Sequence, residues 1–363
     1  MFSLTTHFIS GRRTLFVLPL LCILMLYSPA PAQPPQFLSI AGPSTAPMVT
    51  WSDVPGATGY HFQLSTDASF TTLVLDDSMV YNTVKILESL QSLTGYYCRI
   101  AGVTESGATE WSGTLKFFGE ADKEVFMFSE AAGWNLLSMP VDMSDTARNF
   151  IFPGSCMVPT QYCYFVGYGY DCCGSYAHIR NYGFWNSSPE RRILGITGIP
   201  LLADTLDILD GWNLIGSPIT PVAVTQIMAD PPGLLISRLF AYTHSGYLTA
   251  DSLRPFEGYW IRANGPGRII IPQPPDIRGT IIAYVHWEDQ PVQNKKIVLV
   301  QTGDTAYTDA RGMVQFSVPP GKYGVEAYEI NRGGPIVLMI SFTVEVKSAG
   351  TALIDIIDCL PCL

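Results

Sequence analysis

Apolar and polar residues alternate along this chain in short runs. Val49-Thr50-Trp51, Tyr60-His61-Phe62-Gln63-Leu64 and Tyr96-Tyr97-Cys98-Arg99-Ile100 repeat their apolar side chains every second residue. That is the period of a half-buried strand. Turn signals such as Pro55-Gly56 separate the runs. Similar runs return near 279–286, 296–301, 312–318, 323–328, 336–346 and 351–357. Helical periodicity is hard to find. The pattern predicts an all-β chain, and 363 residues suffice for two or three domains. Tyr96, Cys98 and Ile100 fall on one face of their strand, which makes Cys98 a buried small hydrophobe.

Between these regions one stretch occurs twice. It reads Gly133-Trp134-Asn135-Leu136-Leu137-Ser138-Met139-Pro140 and then Gly211-Trp212-Asn213-Leu214-Ile215-Gly216-Ser217-Pro218. Gly169-Tyr170 and Gly246-Tyr247 follow at matched distances, and each copy closes on Gly183-Phe184-Trp185 or Gly258-Tyr259-Trp260. Matched order at matched spacing marks an internal repeat. Asp210-Gly211 between two apolar runs predicts that each copy opens as a hairpin. Apolar groups on both faces of the Trp-Asn-Leu strand predict a strand covered on both sides. Pro140 and Pro218 end its pairing. One copy of about 75 residues buries a small share of its surface. Residues 120–272 are therefore expected to form one β domain with the copies related by a pseudo-two-fold axis. In it Trp134, Trp212 and Trp260 are read as core and the asparagines as turn caps. The competing reading of Trp134 and Trp212 is a ligand-stacking surface.

Three resemblances follow from quoted residues. Trp51, Tyr60 and Leu90-x-x-x-Thr94-x-Tyr96, with Ser65 to Phe70 and Trp111-Ser112, resemble a fibronectin type III domain over 33–119. The Leu90 to Tyr96 run is similar to a tyrosine corner. The resemblance makes Trp51, Tyr60 and Tyr96 core residues rather than a carbohydrate platform. The two-copy stretch resembles a Gly-Trp-Asn-Leu-x-Ser-x-Pro repeat of large secreted bacterial proteins of the Bacteroidota and Ignavibacteria type. That resemblance implies export and carries no catalytic residue. Gln290-Pro291-Val292, Tyr307 to Gly312 and Pro319 to Tyr323 resemble a carboxypeptidase-regulatory-like or transthyretin-like sandwich over 276–358. Pro272-Gln273-Pro274-Pro275 reads as a stiff linker before it.

The N-terminal 32 residues read as a signal peptide. Arg12 and Arg13 precede an apolar run from Leu15 to Tyr27, and Ala30-Pro31-Ala32 offers a cleavage site after Ala32. Its removal takes two of 21 basic residues and no acid, so 19 face 31 acidic ones, a balance of −12. That balance opposes nucleic-acid binding and gives no basic patch for anionic membranes. No membrane span is expected after cleavage.

Seven cysteines remain of eight once Cys22 is gone. Cys156, Cys163, Cys172 and Cys173 crowd into the first copy, and Cys359 and Cys362 form a tail over 359–363. In an oxidising compartment these six are candidate disulfide cysteines. A zinc site is disfavoured because adjacent Cys172 and Cys173 do not form paired knuckles. Cys359-Leu360-Pro361-Cys362 has redox spacing without the strand-to-helix context that lowers a thiol pKa.

No phosphate loop, Gly-x-Ser-x-Gly elbow or His-x-x-x-His pair occurs. The expectation is a secreted or surface-exposed, non-catalytic multi-module protein that uses no cofactor and no metal. Its partner would be a protein or a polysaccharide at the cell surface. The alternative is an accessory polysaccharide-binding protein working beside an extracellular hydrolase.

Overall fold

The computed structural model describes residues 32–153, 161–172, 182–330 and 336–358. The chain is all-β: strands account for nearly every regular element. Among the described residues the one α-helix is Asp145–Ile151, which the apolar pattern does not reveal because it is two turns long. Ser144 caps it, its Oγ accepting from Ala147 N at 3.2 Å.

The N-terminal region is a fibronectin type III-like sandwich. Tyr60, Phe62 and Leu64 from Ala57–Ser65 face Trp51 from Met48–Trp51, and Tyr96, Cys98 and Ile100 join them from Thr94–Thr104. Trp51, Tyr60 and Tyr96 are all buried. The Tyr96 hydroxyl accepts from Gln91 N at 2.8 Å, closing the tyrosine corner. Asp67 caps the Ser65 to Phe70 loop. Its carboxylate accepts from the Ser69 hydroxyl at 2.6 Å and Thr72 N at 2.6 Å, and these bonds hold it well below the usual carboxylate range.

The sandwich does not stop at residue 119. Arg192–Pro200 pairs in parallel with Leu115–Gly119 and antiparallel with Glu124–Glu130, which in turn pairs with Phe37–Pro43. Two strands of the first repeat copy thus join the two halves of the sandwich into one eleven-stranded sheet. Buried Glu130 is held there by the Asn186 amide and the Arg192 guanidinium.

The expected repeat hairpins do not form. Glu124–Glu130 and Gly133–Ser138 lie in different sheets, and so do Asp204–Ile208 and Gly211–Ile215. Each turn is instead a corner at which the chain leaves one sheet for another. Gly133 and Gly211 sit there at φ of +87° and +98°, where a Cβ would be strained. Asn213 locks its corner: Nδ2 donates to Leu209 O at 2.8 Å and Oδ1 accepts from Leu209 N at 2.9 Å. Asn135 makes the same pair with Ala131, at 2.9 and 3.3 Å. The side chain occupies the backbone groups that a hairpin ladder would have used.

The C-terminal region is a second sandwich. Gly279–Trp287, Met313–Val318 and Thr351–Ile357 share one sheet; Lys296–Leu299, Gly321–Ile330 and Ile336–Val346 share the other. Asp309 builds the Thr-Asp turn, accepting from Arg311 N and Met313 N at 2.9 Å each. The Tyr323 hydroxyl donates to Pro319 O at 2.8 Å. Lys295 and Asp358 form a buried ion pair at 2.9 Å. This sandwich folds back onto the first one. Tyr284 packs with Met48 and Val84, and Asn82 Nδ2 donates to the Tyr284 hydroxyl and Arg311 O at 3.0 Å each.

Candidate functional site

The two repeat copies each contribute a four-stranded sheet, and strand register makes their residues equivalent. In the first, Gly133–Ser138 pairs with Gly183–Ser188, then Gln161–Phe165, then Gly169–Cys172. In the second, Gly211–Ile215 pairs with Tyr259–Ala263, then Leu239–Thr243, then Gly246–Ala250. Leu136 faces Trp185 as Leu214 faces Trp260. Tyr162 pairs with Trp185 as Phe240 pairs with Trp260, and Tyr164 with Tyr170 as Tyr242 with Tyr247.

The copies exchange contacts reciprocally. Leu137 bridges to Glu257, and Ile215 bridges to Tyr182. Tyr164 meets Trp260 edge-on at 4.7 Å and 76°, and Tyr242 meets Trp185 at 4.7 Å and 75°. Leu136, Leu214 and Trp260 are buried between the two sheets. The glycines before the aromatic pairs allow this approach. A Cβ on Gly183 would lie 2.7 Å from Leu214 Cγ, and one on Gly258 would lie 2.8 Å from Leu137 O. Each copy therefore presses its Trp-Asn-Leu strand onto the other copy's Gly-aromatic strand.

Trp134 and Trp212 are not core. They remain 43% and 40% exposed, at the open ends of the two aromatic rows. Leu136 and Leu214, two residues on, belong to the buried cluster between the two sheets, whereas the tryptophan rings lie outside it. Trp260, by contrast, is buried. Trp212 stands edge-on to Phe240 at 5.9 Å and to Trp260 at 6.4 Å; Trp134 stands edge-on to Trp185 at 6.4 Å and tilted to Tyr162 at 5.7 Å. A corner of about 430 Å³ opens at the second cluster, lined by Tyr164, Trp212, Phe240, Tyr247 and Trp260. Tyr170 and Tyr247, at equivalent positions, are about half exposed. Burial against its neighbours pushes the Tyr170 phenol up.

The alternation that correctly placed Trp51 could not separate Trp134 from Leu136. Both lie on one strand face, and only the packing between the two sheets distinguishes them. The signal available was the repeat itself, which carries a large aromatic residue at a corner twice.

Cys163 and Cys172 lie on paired strands, but Cys163 faces Asp171 and Cys172 faces Tyr162, so their side chains point to opposite faces. They are not placed to bridge to one another. Cys156, Cys173, Cys359 and Cys362 lie outside the described residues, as do residues 1–31, on which the expected signal peptide falls. Asn186 is buried against Glu130. Cys98 is a buried thiol, pushed up by its burial. Among the described residues no cluster of three His, Cys, Asp or Glu is placed to hold a metal ion. No helix among them is long and apolar enough to cross a membrane.

No family model matches this chain, and no curated protein matches it. Among solved structures, an Fn3-like protein from Clostridium thermocellum is 20% identical, covering 24% of this chain and 92% of its own, at a TM-score of 0.21. The chicken CNTN1 FN1–FN3 domains are 10% identical, with 88% and 100% covered and a TM-score of 0.21. BcpA, the major pilin subunit of Bacillus cereus, is 9% identical, with 82% and 94% covered and a TM-score of 0.18. The functional reading rests on the chain's own geometry.

Proposed function

We propose that this chain is an exported, non-catalytic binding protein of the cell surface, and that it binds through the aromatic face of its two-copy repeat. The observation that carries this reading is the pair of half-exposed tryptophans, Trp134 and Trp212, at equivalent corners of an otherwise packed aromatic stack. At 43% and 40% exposure each ring forgoes only part of the roughly 1.5–3 kcal/mol that full burial of a large apolar side chain is worth, about 1 kcal/mol apiece. A surface that retains them twice, in a structure able to bury Trp51 and Trp260, is suited to contact something else. The flanking sandwiches then act as rigid supports. The Arg12-Arg13 segment, the apolar run after it and Ala30-Pro31-Ala32 support export with cleavage after Ala32.

The test compares the chain from residue 33 with a Trp134→Ala/Trp212→Ala double variant on immobilised extracellular polymers, glycans and matrix proteins. Retention of the parent and its loss in the double variant, at comparable thermal stability, is the expected result. Equal retention of both proteins would refute the assignment of the face. Turnover of any of these polymers would refute the non-catalytic reading.

A further inference from the structure

A groove of about 1140 Å³ opens beside Trp134. It runs from the corner at Ala131 and Asn135, past Tyr242 and His244, to strand Gly246–Ala250 and the segment 251–257. Its walls differ in kind from the all-aromatic corner at Trp212. Trp134 and Tyr242 line one end, and Thr225, Ser237, Thr249 and Ser252 line the rest. Ser237 Oγ donates to Arg238 O at 2.9 Å and Ser252 Oγ to Asp251 Oδ1 at 3.0 Å, so the Thr225 and Thr249 hydroxyls and the charged side chains are the groups offered to a ligand. The charged side chains cancel, Arg238 and Arg254 standing against Asp251 and Glu257. The far wall is held in place from behind. The Tyr259 hydroxyl donates to Glu257 Oε2 at 2.8 Å and accepts from Arg254 N at 2.8 Å. The His244 ring nitrogen meets Ala132 O at 2.9 Å, tying the second copy's hairpin to the first copy's corner.

We propose that this groove binds an uncharged polysaccharide, with one sugar ring stacked on Trp134 and its neighbours along the hydroxyl-bearing wall. The proposal rests on the aromatic-face reading above and names its ligand. A pyranose ring has apolar C–H faces and a polar rim, so it needs a flat apolar surface and hydrogen-bonding groups a few ångströms away. The groove supplies both, as specific small-ligand sites do. A polyanion would meet no excess of cations here, and the chain carries a net charge of −10. A proline-rich peptide needs aromatic side chains spaced along one groove. Here the two exposed tryptophans open into separate cavities, Trp134 into the groove and Trp212 into the corner. The corner fits a further ring of the same polymer class, and two sites on one chain raise retention on a repeating polymer by effective concentration.

The experiment uses the chain from residue 33 in pull-downs with insoluble cellulose, chitin and β-1,3-glucan, with polygalacturonate as the acidic polymer and a polyproline peptide as the peptide ligand. Retention on at least one neutral polymer is expected, with none on polygalacturonate. Trp134→Ala should weaken it roughly tenfold, the factor that 1.4 kcal/mol of lost contact produces, and Trp134→Tyr should recover part of it. Arg254→Ala, an exposed wall position, gives a second readout that leaves the core untouched and should also weaken retention. No retention on any neutral polymer, a preference for polygalacturonate, or retention unchanged in Trp134→Ala would overturn the proposal. Binding to polyproline alone, lost in Trp134→Ala, would overturn the ligand class while leaving the aromatic-face reading intact. Retention of any probe that neither tryptophan affects would overturn both.

Discussion

Gly258→Ala tests the reciprocal contact between repeat copies at one atom. Gly258 belongs to the second copy, yet a Cβ there would lie 2.8 Å from Leu137 O and 3.1 Å from Leu136 Cγ of the first. The carbonyl cannot retreat freely, because Leu137 is paired with Phe184 in its own sheet and bridged to Glu257. Gly258 N also donates to Leu136 O at 3.0 Å, fixing the backbones at this separation. Overpacking of this kind costs about 1–3 kcal/mol. Replacing glycine with alanine restricts the unfolded chain and returns about 0.4–1 kcal/mol. The net expectation is a loss of about 1–2 kcal/mol. Urea unfolding followed by tryptophan fluorescence reads it as a lower midpoint with an unchanged slope. Gly183→Ala, at the equivalent place against Leu214, should lose a similar amount. Gly265→Ala, which meets nothing within 4 Å, keeps only the unfolded-chain effect and should raise the midpoint slightly, by the equivalent of about 0.4–1 kcal/mol. Because the contact spans both copies, limited proteolysis of Gly258→Ala should open both together. An unchanged midpoint would refute the reasoning. So would a protease-resistant fragment of residues 120–200 persisting while the second copy is digested.

Trp51→Ala should cost about 3–5 kcal/mol, as truncation of a fully buried tryptophan does, whereas half-exposed Trp212→Ala should cost only about 1–2 kcal/mol by the same denaturant assay. Burial and the nearby Arg192 charge lower Lys116 from its ordinary 10.5 to about 8, where its ammonium donates to Phe150 O and lies 4.3 Å from the Phe150 ring centroid. Between those values the unfolded chain binds a proton that the folded chain lacks, so stability from this group should rise with pH from about 8 and level off near 10.5. Unfolding midpoints at pH 8 and 9.5 should therefore differ less in Lys116→Met than in the parent, and an identical pH slope would refute the assignment. Thiol titration in denaturant without reductant should count fewer than the seven cysteines that remain after Cys22 is removed. Bridges closing short loops near residue 160 would each contribute about 2–4 kcal/mol, and full alkylation before reduction would remove them.

Strand alternation was enough to give the all-β class, the buried Trp51, Tyr60 and Tyr96, and the strands of the C-terminal sandwich. Those properties follow from a two-residue period and from local turn chemistry, which a sequence carries directly. The repeat and its partnership between copies were legible for the same reason, as matched glycines and aromatics at matched spacing. What alternation could not supply is the partner of each strand. Asp210-Gly211 has the composition of a hairpin turn, but Asn213 takes up the backbone groups of Leu209 and sends the chain into another sheet. The strand before Gly133 is expected to open the first copy as a hairpin, yet Glu124–Glu130 joins Arg192–Pro200 to complete the sheet of the neighbouring sandwich. The exposure of Trp134 and Trp212 was equally out of reach. Trp212 and Leu214 share one face of one strand, and what separates them is that the buried cluster between the two sheets takes in Leu214 and leaves Trp212 outside. Burial of a periodic position is a local property of the strand only when its cover runs the full length. Here the buried cluster between the sheets takes in Leu136 and Leu214 but not Trp134 and Trp212, and tertiary packing alone turned two expected core residues into the candidate binding face.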